Sequence, residues 1–374
     1  MTMMNDSLSI LVFTRDLDRY SVNLLRELVG MGHRVHVVTE PQSGPHARDW
    51  SSLISIVDQV KLKGRFDKFA AQCYADNVKK YAADVCLCYT SRALSVALTA
   101  RRRHGFTTPI VGTRGAIGGV SAFYIQDWFA YLSPALDAVV GMSQAIVNKV
   151  AQEARRFYPS HPGHFQAIYP GYGQLMQTHE APAPRTRSRD QKVRLLCVAN
   201  DRPIKGLAVL LDAVENHLRA TRWQLDIVGQ CSDEIRKRIQ LSEKLTAHVT
   251  AHGFRSDLPD YFKAAHIYIQ PTLLPGEGIG NSMAEAMSFG LPVVTSNVGG
   301  GIELTTHGQT GVHFTVGDSV ALAHAIDQLI DDPVLCDTLG LAAADTLQTR
   351  FSLRQEAEAF LALFNLLIAK SSLK

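Results

Sequence analysis

A regular alternation of short apolar strands with amphipathic helical stretches runs through this chain twice. It constrains the fold more than any other feature, because parallel strands need crossover connections long enough to be helices. In the first series the strands fall at Leu8–Phe13, Arg34–Thr39, Val85–Tyr89, Pro109–Gly112 and Ala138–Gly141. Between the first two, Ser21–Met31 repeats Val22, Leu25, Leu28 and Val29 at helical spacing. The second series predicts strands at Val193–Val198, Gln224–Val228, Val249–Ala251, Ile267–Gln270 and Pro292–Thr295. Helices are expected between them at Leu207–Leu218, Asp233–Lys244, Leu258–Ala264 and Asn281–Phe289. Proline-rich, charged residues from Ala181 to Asp190 have linker composition. A last helix, Ser352–Lys370, opens on a serine.

The expected organisation is therefore α/β: one Rossmann-like domain over 1–180, a linker at 181–192, a second over 193–352, and a closing helix at 353–374. A length of 374 residues is more than one ordinary core accommodates. Two such domains imply a cleft with ligands at the carboxyl ends of the strands.

Charge is uneven. Residues 1–185 hold 20 Lys+Arg against 14 Asp+Glu, whereas the remainder holds 18 against 21. The basic first half suits an anionic partner such as a phospholipid surface or a phosphorylated acceptor, and equally suits a solvated basic face. Three segments mix cations with apolar or aromatic residues: Lys61–Phe66, Arg101–His104 and Arg155–Tyr158. No nucleic-acid motif accompanies them, so nucleic acid is not expected as a partner. The six cysteines have neither zinc spacing nor a disulfide framework, and Cys86 and Cys88 read as buried thiols. No secretory signal and no membrane-spanning run is recognised, so a cytoplasmic location is expected, extending to peripheral contact with the inner face of the cell membrane.

The segment with most chemistry is Pro275-Gly-Glu-Gly-Ile-Gly-Asn-Ser-Met-Ala-Glu285, between the strand ending at Gln270 and the helix from Asn281. Glycines there let the backbone approach a ligand closely, and the helix amides favour an anion such as phosphate. Glu277 lies in the loop and Glu285 about one turn inside the helix, where acidic residues meet ribose hydroxyls in dinucleotide folds.

The order Glu277-Gly-Ile-Gly-Asn-Ser-Met-Ala-Glu-Ala-Met-Ser-Phe-Gly-Leu-Pro-Val-Val294 resembles retaining glycosyltransferases of family 4, which have the two-domain GT-B fold. Gly299-Gly300, Gly308-Gln-Thr-Gly311, Ala251–Ala265 and Arg350-Phe-Ser-Leu extend the resemblance from about Val193 to Phe360. It implies nucleotide-sugar binding by the second domain, acceptor binding by the first, and a C-terminal helix that crosses back to the first. It also implies transfer of a hexose from a nucleotide diphosphate sugar, UDP- in preference to GDP-linked, to a glycan or lipid-linked hydroxyl. The setting would be bacterial surface-polysaccharide or lipopolysaccharide assembly.

By the same resemblance Glu277 contacts the donor sugar, Glu285 holds the ribose, and the amides of Gly278, Ile279 and Gly280, next to Asn281, meet the distal phosphate. His252, Gly253 and Phe254 line the base pocket, mainly through backbone. Lys205 matches the family's diphosphate lysine. Asn200 stands where the family carries an arginine, and Arg202 is the candidate replacement, or else an exposed turn residue. Arg114 stands near the position of a family histidine that faces the transferred sugar, where its role would be electrostatic or positional. No cofactor is implied beyond the sugar nucleotide. Asp16-Leu-Asp18 has the spacing of metal-dependent transferases, but its place before the first helix favours capping. Ser143 likewise reads as a helix cap. Arg15 or Arg19 would meet an anionic acceptor or solvent. Two rival readings are a sugar-nucleotide epimerase or hydrolase on the same fold, and a non-catalytic sugar-nucleotide-binding scaffold.

Overall fold

The computed structural model describes residues 7–41, 50–115, 124–178, 180–185, 191–273 and 279–372. The chain divides into two units, Met1–Gly171 with Leu353–Lys374, and Tyr172–Ser352. In the first unit β1 (Ser9–Phe13), α1 (Arg19–Gly30), β2 (Arg34–Thr39), β3 (Ile56–Gln59), α2 (Lys68–Lys80) and β4 (Val85–Cys88) are followed by α3 (Ser91–His104), β5 (Ile110–Arg114), α4 (Ile125–Trp128), β6 (Ala138–Gly141), α5 (Gln144–Phe157) and β7 (His164–Ala167). Its seven strands are parallel in the order β3-β2-β1-β4-β5-β6-β7.

Both faces of this sheet are buried, so successive residues of one strand enter different cores. Leu11 and Phe13 join Tyr74, Cys86 and Cys88 in one. Ile10 and Val12 join Leu24, Leu25, Leu28, Val85 and Leu87 in the other. All six cysteines are free; the buried Cys86, whose thiol burial pushes up to about 12, and Cys88 act as small core residues, while half-buried Cys73 donates to Asp58.

The second unit opens with a 3₁₀ segment, Tyr172–Thr178. It continues through β8 (Val193–Val198), a 3₁₀ turn Pro203–Lys205, α6 (Leu207–Asp212), a π turn Ala213–His217, β9 (Trp223–Val228), α7 (Asp233–Leu241), α8 (Glu243–His248), β10 (Val249–Gly253), α9 (Leu258–Ala264) and β11 (Ile267–Gln270). α10 (Asn281–Ser288), β12 (Val293–Ser296), α11 (Gly301–Leu304), β13 (Gly311–Phe314), α12 (Ser319–Asp331) and α13 (Pro333–Arg350) complete it. Its six strands are parallel in the order β10-β9-β8-β11-β12-β13. α14 (Leu353–Ser371) then returns to the first unit, placing Phe360, Leu361, Phe364 and Leu367 in the core that holds Leu24, Leu25 and Leu28 of α1. The expected return of the C-terminal helix is thus present.

Several expected elements differ in detail. β3, β7 and β13 were not anticipated; all three are edge strands, and the half-exposed β3 and β7 lack the apolar run of an interior strand, while β13 is only four residues long and opens on glycine. The helix expected over Asp233–Lys244 breaks at Ser242, whose hydroxyl accepts from Leu245 N–H at 3.3 Å and starts α8 instead. The helix expected over Leu207–Leu218 widens after Asp212 into a π turn closed by Leu218 N–H on Ala213 C=O at 2.8 Å. The described part of the proline-rich stretch lies against the second unit. A Cβ on Gly290 would stand 2.6 Å from Pro182 Cβ, and Arg185 donates to the carbonyls of Phe262, Lys263, Ala265 and Phe289.

Candidate functional site

In the second sheet the strand order reverses between β8 and β11, the place where open α/β sheets take ligands. Two loops meet there. Leu273, after β11, donates its N–H to Ile204 C=O, after β8, at 2.8 Å. Gly206 makes the approach possible: its φ is +68°, and a Cβ would lie 1.8 Å from the Pro271 carbonyl oxygen. Lys205 is the residue before this contact, at the end of the 3₁₀ turn that Arg202 opens.

A pocket of about 210 Å³ opens at the carboxyl ends of β8, β9 and β10, lined among others by Asn200, Arg202, Lys205, Gly229, Phe254 and Arg255. That volume admits a nucleobase, whereas enclosing a whole drug-sized ligand takes roughly 300–1,000 Å³. Phe254 is 71% exposed, an unusual setting for a phenyl ring and a ready stacking face. Arg255 is held by Asp257 at 2.7 Å.

Asn200, in the position of the expected arginine, fastens the loops. Its side-chain oxygen accepts from Gln230 N–H at 2.9 Å, and its carbonyl accepts from Arg202 N–H at 2.8 Å. Arg202 is exposed and Lys205 half-buried on the pocket wall. The His252 ring sets its Nε2 against buried Asp226, at 2.7 Å. Gly253 has φ +69° and gives its carbonyl to Gly229 N–H at 2.8 Å, which closes the floor between β9 and β10.

The start of α10 is fixed from below. Ser282 Oγ accepts from Tyr268 Oη at 2.8 Å and donates to Val198 C=O at 3.4 Å, tying the first turn to the end of β8. Asn281 Oδ1 accepts from buried Tyr172 at 2.9 Å. Gly280 abuts Gln270, whose Oε1 would meet a Cβ at 2.7 Å. Ile279 is buried and Glu285 half-buried one turn into the helix. The fold therefore gathers Arg202, Lys205, Phe254, Ile279, Gly280, Asn281 and Glu285 around one switch point. Glu277 and Gly278 lie outside the described residues. Tyr172, Tyr268 and Arg255 were not foreseen; Tyr172 is 109 residues from its partner, and nothing local marks it.

In the first unit Arg114 ends β5 with its guanidinium 4.7 Å from the centre of the Tyr131 ring. Tyr131 is itself pinned by donating to Thr113 C=O at 2.8 Å, and burial pushes its hydroxyl up to about 12, so it stays a neutral support. Asp18 caps α1, accepting from Ser21 N–H at 2.7 Å, and Ser143 caps α5, accepting from Ile146 N–H at 3.3 Å. Of the basic segments, Arg101 is ion-paired to Asp137, while Arg102, Arg103 and His104 are exposed. Phe66 and Phe157, both exposed, pack edge-on against Phe129 and at a tilt against Trp128 respectively. No helix among the described residues is long and apolar enough to cross a membrane.

Comparison with known families assigns a match to each unit. Residues 17–172 match the description "Glycosyltransferase Family 4", and residues 192–332 match "Glycosyl transferases group 1". The chain carries two glycosyltransferase family domains, family 4 in the first unit and group 1 in the second. A lipopolysaccharide core biosynthesis mannosyltransferase of Rhizobium leguminosarum bv. viciae is 30% identical over 182 residues, 46% of this chain and 50% of that protein. A capsular polysaccharide biosynthesis glycosyltransferase of Staphylococcus aureus is 31% identical over 116 residues, 31% of this chain and 30% of that one. The matched stretch thus spans half or less of either relative. Among solved structures, a glycosyltransferase from Rickettsia africae ESF-5 superimposes with a TM-score of 0.76 at 18% identity, covering 97% of this chain and 99% of that one. Anabaena HepE in complex with UDP gives 0.69 at 19%, covering 96% and 100%. The family's GT-B fold, with two parallel-sheet Rossmann-like units, is the fold described above.

Proposed function

We propose that this glycosyltransferase-family chain moves a hexose from a nucleotide diphosphate sugar to a hydroxyl of a glycan or glycolipid, with retention at the anomeric carbon. The bacterial lipopolysaccharide and capsule relatives support a role in surface-polysaccharide assembly, and the UDP complex of HepE supports UDP over GDP. The observation that carries the reading is the junction of the β8 and β11 loops, which sets Lys205 and the pocket beside the turn into α10.

In this mechanism the base rests on Phe254, the ribose hydroxyls donate to Glu285, and the diphosphate lies between Lys205, Arg202 and the amides from Gly278 to Gly280. The bond from the anomeric carbon to the phosphate oxygen breaks while the acceptor hydroxyl attacks from the same face, its proton passing to the departing oxygen. Fixed cations and amides stabilise the charge that develops on the diphosphate, the role a metal plays elsewhere, so the reading assigns no metal. Glu277 orients the sugar hydroxyls, and Arg114 acts through its charge or by positioning. Contact with an anionic membrane face would use the basic aromatic segments around Phe66 and Phe157.

Two variants test it. Glu285→Ala should weaken UDP affinity about tenfold or more by calorimetry, the worth of a lost hydrogen bond to a charged group. Glu277→Ala should bind UDP as the wild type does and transfer no sugar. Wild-type turnover in Glu277→Ala would sink the assignment.

A further inference from the structure

The first unit holds a cavity of about 580 Å³ that the nucleotide site does not use, lined chiefly by Arg15, Asp16, Glu40, Arg65, Ser91 and Arg92. It opens at the carboxyl ends of β1, β2 and β4, where the order of the first sheet reverses. That is the ligand position of an open α/β sheet.

Its three guanidiniums come from three separate segments: the loop after β1, the loop before α2, and the first turn of α3. Each is braced. Arg15 Nε donates to Glu40 at 2.8 Å, and the other oxygen of that carboxylate accepts from Leu62 N–H at 2.7 Å. Arg65 donates to Ser91 C=O at 3.5 Å and Ser95 Oγ at 3.4 Å. Arg92 donates to Leu62 C=O at 3.4 Å, a contact that orients the fork without neutralising it. Asp16 turns one oxygen onto Leu17 N–H at 2.8 Å. The lining thus carries three cations against two carboxylates. α3, 14 residues long and capped by Thr90, points its positive end at the same space.

We propose that this crevice binds a phosphoryl group carried by the acceptor. Planar guanidinium forks match the oxygens of a phosphomonoester in pairs, and three of them from separate segments enclose such a group rather than merely attract it. Calling the ligand an acceptor rests on the transferase reading; phosphoryl binding by the first unit does not.

Calorimetry with glycerol 1-phosphate tests it, with UDP saturating to occupy the second unit and glycerol as the uncharged control. The wild type is expected to bind glycerol 1-phosphate but not glycerol. An Arg65→Gln/Arg92→Gln double variant should bind it at least about tenfold more weakly, with unchanged UDP affinity and melting temperature. Arg92→Lys, which keeps the charge and loses the fork, should fall between. Flotation with phosphatidylcholine vesicles, with and without equimolar phosphatidic acid, separates the sources of the group. Flotation that needs phosphatidic acid, fails in the double variant and resists glycerol 1-phosphate assigns a lipid headgroup. Release by glycerol 1-phosphate assigns a site open to soluble phosphomonoesters as well. Equal affinity in wild type and double variant, or no binding by the wild type in either arm, overturns the proposal. A chain that binds glycerol 1-phosphate and no UDP would instead sink the transferase reading and leave the phosphoryl site standing.

Discussion

Gly206 and Asn200 lie six residues apart and differ in how openly they announce their roles. A glycine before a helix invites a backbone argument, and its φ of +68° beneath the Pro271 carbonyl answers it. Gly206→Ala should destabilise the chain by about 2 kcal/mol or more, since the left-handed backbone penalises a Cβ and the carbonyl would have to move. Denaturant unfolding reads the stability loss and UDP calorimetry the displaced Lys205; a variant matching wild type in both would mean the two loops are not pinned there. Asn200 gives no such signal. Its position alone marks a missing cation, but its amide oxygen joins the β8 loop to Gln230, a partner that only the folded sheet brings near.

At the scale of elements, the interior strands were legible because both of their faces are buried and their residues are continuously apolar. The edge strands β3, β7 and β13 were not, since their pairing rests on a neighbour more than on their own composition; of the four edge strands only β10 was legible. α1 shows the opposite case, in which a local rule decided correctly. Asp18 accepts from Ser21 N–H in the manner of an N-cap. Asp18→Asn should therefore keep stability within about 0.5 kcal/mol, because asparagine caps as well as aspartate. It should also keep sugar transfer, measured without added metal. Lost turnover at unchanged melting temperature would return Asp16 and Asp18 to the metal-ligand reading.

At the scale of the whole chain, the first unit is discontinuous, completed by α14 after the second has been made. Glu356 of α14 is half-buried and accepts from Gly171 N–H at 2.7 Å, with Asp18 and Tyr89 nearby. Burial, aided by the Asp18 charge, raises this carboxyl to about 8 from an ordinary 4.5. The folded chain then binds a proton that the unfolded chain has released, so this group's contribution is full below pH 4.5 and is lost as pH rises toward about 8. Glu356→Gln keeps an acceptor for Gly171 and removes the titration. Its melting temperature should gain on that of the wild type as pH rises across that window, as calorimetric scans would show; parallel curves would contradict the raised carboxyl.

The sequence by itself determined the two parallel-sheet units, the strand-to-helix turn at Gly280 and the residue types around it. Periodicity, glycine and charge act over a few residues, so they can be read locally. Tertiary structure alone decided that Tyr172 holds Asn281, that Asn200 serves as a clasp, that His252 meets Asp226, and that Arg15, Arg65 and Arg92 share one crevice. Each of these depends on segments tens of residues apart meeting at a strand end, and strand order, which sets those meetings, is not a local property of any segment.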